Sequence, residues 1–236
     1  MTPDGTLILQ HLDTVAAERQ RRARDAALET RVRAVKAYQH RRFARTYADL
    51  LSTPRYAKAA RFFLDDLYGP HDFNERDDQF ARIVPALVRL FPQEIVSTVR
   101  TLAELYAISE VLDTQMAAAC PAPEMAAPAY LAAWQTTGRP ADRERQIALM
   151  LDVGAALDRY TRNPLLRHTL RLMRGPARAA GMGALQTFLE RGFDTFREMR
   201  GAQEFLATIA ARERALALAL FDPSPVARET ALGQLP

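Results

Sequence analysis

Residues 55–92, RYAKAARFFLDDLYGPHDFNERDDQFARIVPALVRLFP, decide the fold. Tyr56, Ala59, Ala60, Phe63 and Leu67 recur at helical spacing and make one apolar face. Pro54 can open that helix, because the first turn has no use for the N–H that proline lacks. Gly69-Pro70 ends it: Pro70 donates no backbone hydrogen bond and disfavours helical geometry at Gly69, so the chain turns before His71. Asn74 then reads as an N-cap, with Glu75 and Asp77 in the first turn, where carboxylates favour the helix dipole. Phe80, Ile83, Val84, Leu87, Val88 and Phe91 supply the core face of the second helix, and Pro85 predicts a kink in it. The unit is a helix, a tight corner and a kinked helix.

Helical spacing extends in both directions from this unit. From Thr6 to Thr53 there is no Gly or Pro, which predicts one long helix or two joined by a subtle break. Its apolar positions thin out between Glu18 and Arg33, so the first third is expected to project, into solvent or against a second copy. Pro92 can open a further helix that carries Ile95, Val99, Leu102 and Leu105 and ends near Cys120. Pro121 to Pro128 reads as a linker, followed by a short helix with Tyr130 and Trp134 that ends at Gly138. A second lobe begins at Arg139-Pro140, with helix ends expected before Asn163-Pro164, at Gly175-Pro176, at Gly201 and at Asp222-Pro223. Glycines within the run that holds Gly181, Gly183 and Gly192 point to close helix approach. No segment alternates with strand period.

The expected architecture is therefore all-α, a multi-helix bundle of about eight or nine helices with a long N-terminal helix. Its parts are a basic helix at 1–53, a first lobe at 54–120, a linker and short helix at 121–138, a second lobe at 139–222 and a tail at 223–236, together one compact domain. A chain of 236 residues with 48% hydrophobic content buries a sizeable core. The single cysteine, Cys120, excludes an internal disulfide framework and suits a reduced compartment. No basic leader with a long apolar run opens the sequence, and no segment approaches a membrane span, so a cytoplasmic location is expected.

Net charge is only +4, yet ten Arg or Lys residues fall between Arg19 and Arg45 against Asp25 and Glu29. Such a stretch could neutralise phosphates of a nucleic acid or meet an acidic protein. Without a helix-turn-helix, zinc or RNP-like pattern beside it, a solvated face is the favoured reading.

Two constellations could carry chemistry. The corner brings together Asp65, Asp66, Tyr68, His71, Asp72, Arg76 and Asp77, either as a polar site or, the favoured reading, as caps and pairs that fix the turn. The run LLRHTLRLMRGPARAAGMG, residues 165–183, places Arg167, Arg171, Arg174 and Arg178 on one helical stripe, with the Gly175-Pro176 break able to deflect Arg178. Beside a helix N-terminus such a stripe could hold phosphate or carboxylate groups. His168 stands one residue off that stripe; directed inward among Leu and Met it could ligate haem, although a core or surface histidine is the commoner use.

Other helical enzyme signatures are missing. No Glu has a His three residues on, neither Asp65-Asp66 nor Asp77-Asp78 completes DDxxD, and there is no HExxH, P-loop or GxSxG. His71-Asp72 is an HD pair, for which His40 and Asp113 would be the further metal ligands of a phosphohydrolase; a pair that follows Gly-Pro in a corner argues against it. The leading expectation is a non-enzymatic interaction or regulatory protein that binds a protein partner or self-associates. The alternatives are a small-ligand or haem-binding helical protein and a metal-dependent hydrolase at the corner. No catalytic residue, metal ligand set or cofactor is assigned.

FFLDDLYGPHDFNERDDQFARIVPALVRLFP, residues 62–92, together with GALQTFLERGFDTFREMRGAQEFLATIAARE, residues 183–213, resembles a family of bacterial helical proteins of similar length. The resemblance covers most of the chain after about Arg45. It implies an all-helical unit and a bacterial source, and no activity, cofactor or catalytic residue.

Overall fold

Asp25 interrupts the expected N-terminal helix. Its carboxylate accepts from the Leu28 N–H at 3.0 Å and starts a second helix, so residues 3–46 form α1 (Pro3–Ala23) and α2 (Ala26–Thr46). A short α3 (Ala48–Ser52) and α4 (Ala57–Phe62) follow, and α4 passes into a π-helical turn, Phe63–Leu67. The chain continues as α5 (Asn74–Leu90), α6 (Gln93–Ala119), α7 (Ala127–Thr137), α8 (Pro140–Thr161), α9 (Pro164–Leu172), α10 (Arg174–Ala179), α11 (Gly183–Met199), α12 (Gln203–Phe221) and α13 (Pro225–Gln234). The computed structural model describes residues 2–67, 74–120 and 124–236, and among them there is no strand. The all-α class holds, with more helices than eight or nine because Asp25 caps a new helix within the first stretch, short helices form at Ala48–Ser52 and Arg174–Ala179, and Pro225–Gln234 is helical.

The expected projection of the first third does not occur. Ile8, Leu12 and Val15 of α1 are buried against α6, where Val96 and Ala103 form part of the same cluster. The thin apolar face is sufficient because its charged residues are neutralised inside the fold, as described below.

α6 is the axis of the molecule and touches α1, α2, α7 and α8. Its 27 residues bury Leu105, Leu112, Met116 and Ala117 on several sides, which suits a helix surrounded by others. One core cluster joins Tyr38, Met116, Tyr130, Leu216 and Leu220; another joins Tyr47, Phe63, Leu149, Phe196 and Phe205. Both draw on residues from the two lobes drawn by sequence. α13 occupies much of the stretch read as a tail, and its Ala231 is fully buried in the first cluster.

Two prolines serve helix starts where breaks were expected. Pro128 lies in the first turn of α7, and Pro176 in the first turn of α10, where the N–H groups have no intrahelical acceptor. The break falls instead at Met173. Pro85 lies inside α5 as expected.

The close approach expected from the glycine-rich run is found at Gly192 of α11. A Cβ there would stand 2.9 Å from Cζ of Phe62, whose ring is stacked on Phe188. Gly192→Ala should therefore destabilise the protein by about 1 kcal/mol: overpacking against a held ring outweighs the helix propensity gained. Chemical denaturation measures the sign, and a stabilised variant would show that the ring yields freely.

Candidate functional site

In the polar corner, the Asp65 carboxylate is 3.4 Å from the His40 imidazole. Tyr68, His71 and Asp72 lie outside the described residues, as do the side chains of Asp66, Arg76 and Asp77. Asp113, which the HD reading would need, is buried in α6 and accepts from the Gln39 amide at 2.9 Å, while His40 faces Asp65. Among the described residues, no group of three His, Cys, Asp or Glu side chains could hold a metal ion.

Much of the basic run from Arg19 to Arg45 faces inward. Arg22 is buried and meets Glu110 at 2.7 Å and the Thr114 hydroxyl at 3.1 Å, and Lys36 binds the other oxygen of Glu110. Arg31 donates to the Ala117 carbonyl, Arg45 to the carbonyls of Leu235 and Gly233, and Arg42 pairs with Glu213, which also accepts from the Tyr47 hydroxyl at 2.7 Å. Arg22 of α1 and Lys36 and Arg42 of α2 thus carry their charges into the packing against α6 and α12. Burial pushes the Glu110 carboxyl up, but Lys36 and Arg22 together hold it below its ordinary value. Among the described residues the Asp113 carboxylate has the Gln39 amide as its partner, and burial raises it. The cations are plain in the sequence and their acceptors are not, since nothing near Glu110 or Glu213 in the chain marks either as the partner of a distant cation.

The arginine stripe is likewise drawn into packing. α9 starts on Asn163, whose side chain accepts from the Leu165 N–H at 3.0 Å. Arg167 donates to Asp194 at 3.0 Å and Arg174 grips Glu190 with two nitrogens; both acids lie one turn apart on α11. The Leu170 carbonyl accepts from Gln186. Between these helices is a gap of about 10 Å³, room for about one water. Arg171 is exposed at its edge and helps to lower Glu190, after the larger effects of Arg174, while Arg178 is exposed on α10 beyond the break. His168 is exposed, which corrects the inward, haem-ligating orientation: the helix docks through its 167 and 170 positions instead.

With Arg167 turned to α11, α9 presents leucines outward. Leu165 is 73% exposed and Leu172, two turns on, 65% exposed; Met173 is also exposed beside them. Thr169 lies between the two leucines on the same face. Sequence reading followed the arginines and missed this stripe, although the i, i+7 leucines were visible.

The fold and these surfaces define an all-helical protein with charged side chains in its interior and one short helix that leaves two leucines in water. No helix among the described residues is long and apolar enough to cross a membrane. The chain belongs to the family described as Domain of unknown function (DUF8198), which matches residues 18–227. No curated protein and no solved structure matched the chain.

Proposed function

We propose that this is a non-enzymatic interaction protein of the bacterial cytoplasm that binds a protein partner through the outward face of α9. The observation that carries the reading is the orientation of that helix: Arg167 is spent on packing against Asp194 while Leu165 and Leu172 remain in water. Large exposed leucines on one stripe have no role in this chain's own core, and i, i+7 anchors are what an apolar groove accepts from a helix. Arg171 and His168 flank the stripe and suit an acidic rim on the partner. A cytoplasmic place is supported by the cysteine content: the sequence has one cysteine, Cys120, and it is buried in the core.

The test is site-specific photo-crosslinking in the native host, with the reactive residue at position 172. One discrete adduct is expected, whose mass identifies either a second copy or another protein. Leu165→Glu should abolish the adduct and leave the melting temperature within about 2 °C, because an exposed side chain contributes little to stability. No adduct, or an unselective ladder that Leu165→Glu leaves intact, would remove the reading.

A further inference from the structure

Where α2, α7, α8 and α12 converge there is a cavity of about 60 Å³ whose lining includes Gln39, Arg42, Tyr130, Trp134, Arg143 and Glu213. Arg143, at the start of α8, is only 4% exposed. Its guanidinium donates to the Gln146 amide oxygen at 3.1 Å and to the Met116 sulfur at 2.9 Å, and lies 4.0 Å from the centre of the Trp134 ring. All these partners are neutral. Among the described residues no carboxylate lies within ion-pair distance of Arg143, an arrangement that is costly in an interior unless an anion completes it. Glu213, the one carboxylate in the lining, is already committed to Arg42 and Tyr47.

The remaining hydrogen-bonding capacity has the same sign. Arg42 Nε and Trp134 Nε1 are buried donors with no acceptor among the described residues. The lining thus holds two guanidiniums against one carboxylate, with unused N–H groups. The rest of the wall is apolar, including Ile147, Met150 and Leu216. Water could satisfy the donors but brings no charge.

We propose that this cavity is a binding site for a small monocarboxylate, its carboxylate held by Arg143 with the Arg42 and Trp134 N–H groups and its short apolar body against Leu216 and Ile147. One negative charge suits the guanidinium in the lining that has no ion-pair partner among the described residues, and a planar carboxylate accepts from guanidinium edges in paired geometry. The volume suits an acid of a few heavy atoms, given that one water needs roughly 10–15 Å³ in the same measure. Burial lowers the proton affinity of Arg143, and the charges of Asp113 and Glu213, neither of them paired with it, do not offset this.

Trp134 is the only tryptophan of the chain, so its emission reports directly on this cavity. The full-length protein is titrated with sodium acetate and sodium propionate at constant ionic strength, with chloride and inorganic phosphate as comparison anions. Saturable emission changes are expected for the carboxylates, with midpoints at least tenfold below that of chloride. Arg143→Gln should raise those midpoints at least tenfold, while Arg41→Gln, at an exposed position on α2, leaves them unchanged. Arg143→Met, which keeps contact with Met116 and the indole, serves if the glutamine variant does not fold. If neither variant folds, the wild-type ranking of the anions decides. A response that is the same for chloride and carboxylates, or that survives loss of the Arg143 charge, overturns the proposal. Tighter saturation by phosphate overturns the assignment to carboxylates.

Discussion

Glu110→Ala should lower the unfolding free energy by about 3–5 kcal/mol, among the largest losses available to a single substitution in this chain. Glu110 is 3% exposed and is the shared acceptor for Arg22 and Lys36, so its removal leaves two cations facing each other in the interior. Lys36 retains partial access to solvent, whereas Arg22 is buried. The contrasting variant is Glu198→Ala, which breaks the exposed pair with Lys58 and should cost less than about 1 kcal/mol. Urea denaturation of both variants beside the parent measures the difference, and equal losses would show that the interior pair is no stronger than a surface one.

The same side chain gives the prediction a pH dependence. Glu110 is held below its ordinary value of 4.5 in the folded protein, so its stabilisation is fully present above that value and is lost as pH falls through the depressed one. The gap between the parent and Glu110→Ala should narrow as the medium becomes more acid than 4.5. Asp113 has the opposite sign: its folded-state value is raised, so protonation on acidification removes a cost and partly offsets the loss at Glu110. A gap that is constant through the acid range would rule out Glu110 as an ionised partner.

Phe196→Ala should cost about 3–5 kcal/mol and lower the melting temperature by roughly 10 °C. Phe196 of α11 is fully buried and its ring lies 6.0 Å from that of Phe63 in the π-helical turn, in the cluster that also holds Phe205 and Met199. The cavity left behind cannot close by rotation of one side chain, because Phe63 is also placed edge-on to Phe205 at 5.6 Å. Phe196→Leu, which keeps most of the volume, should recover at least half of the loss. Calorimetry would sink this account if alanine and leucine behaved alike.

These two residues mark how far the sequence is legible. Phe196 belongs to a run with clear helical period, so its place in a core follows from spacing alone. Glu110 lies on α6 at a position where any polar residue reads as solvent-facing, and nothing local says that Arg22 and Lys36 converge on it. The basic run from Arg19 to Arg45 illustrates the limit: its charge is plain in the sequence, while the acceptors of Arg22, Arg31, Lys36, Arg42 and Arg45 stand far away in the chain, on α6, on α12 and after α13. The arginine stripe is legible as a stripe, but the docking of Arg167 on α9 against Asp194 and of Arg174 on α10 against Glu190, which leaves the leucines outside, depends on the register of α11 beside them.

What the sequence determined by itself is the helical class and most of the helix ends, because periodicity, caps, glycine and proline act over a few residues and need no partner. The tertiary structure alone decided which charges are buried and which leucines are left in water. Those outcomes depend on distant side chains meeting across helix interfaces, and a buried cation differs from a solvated one only in what stands opposite it.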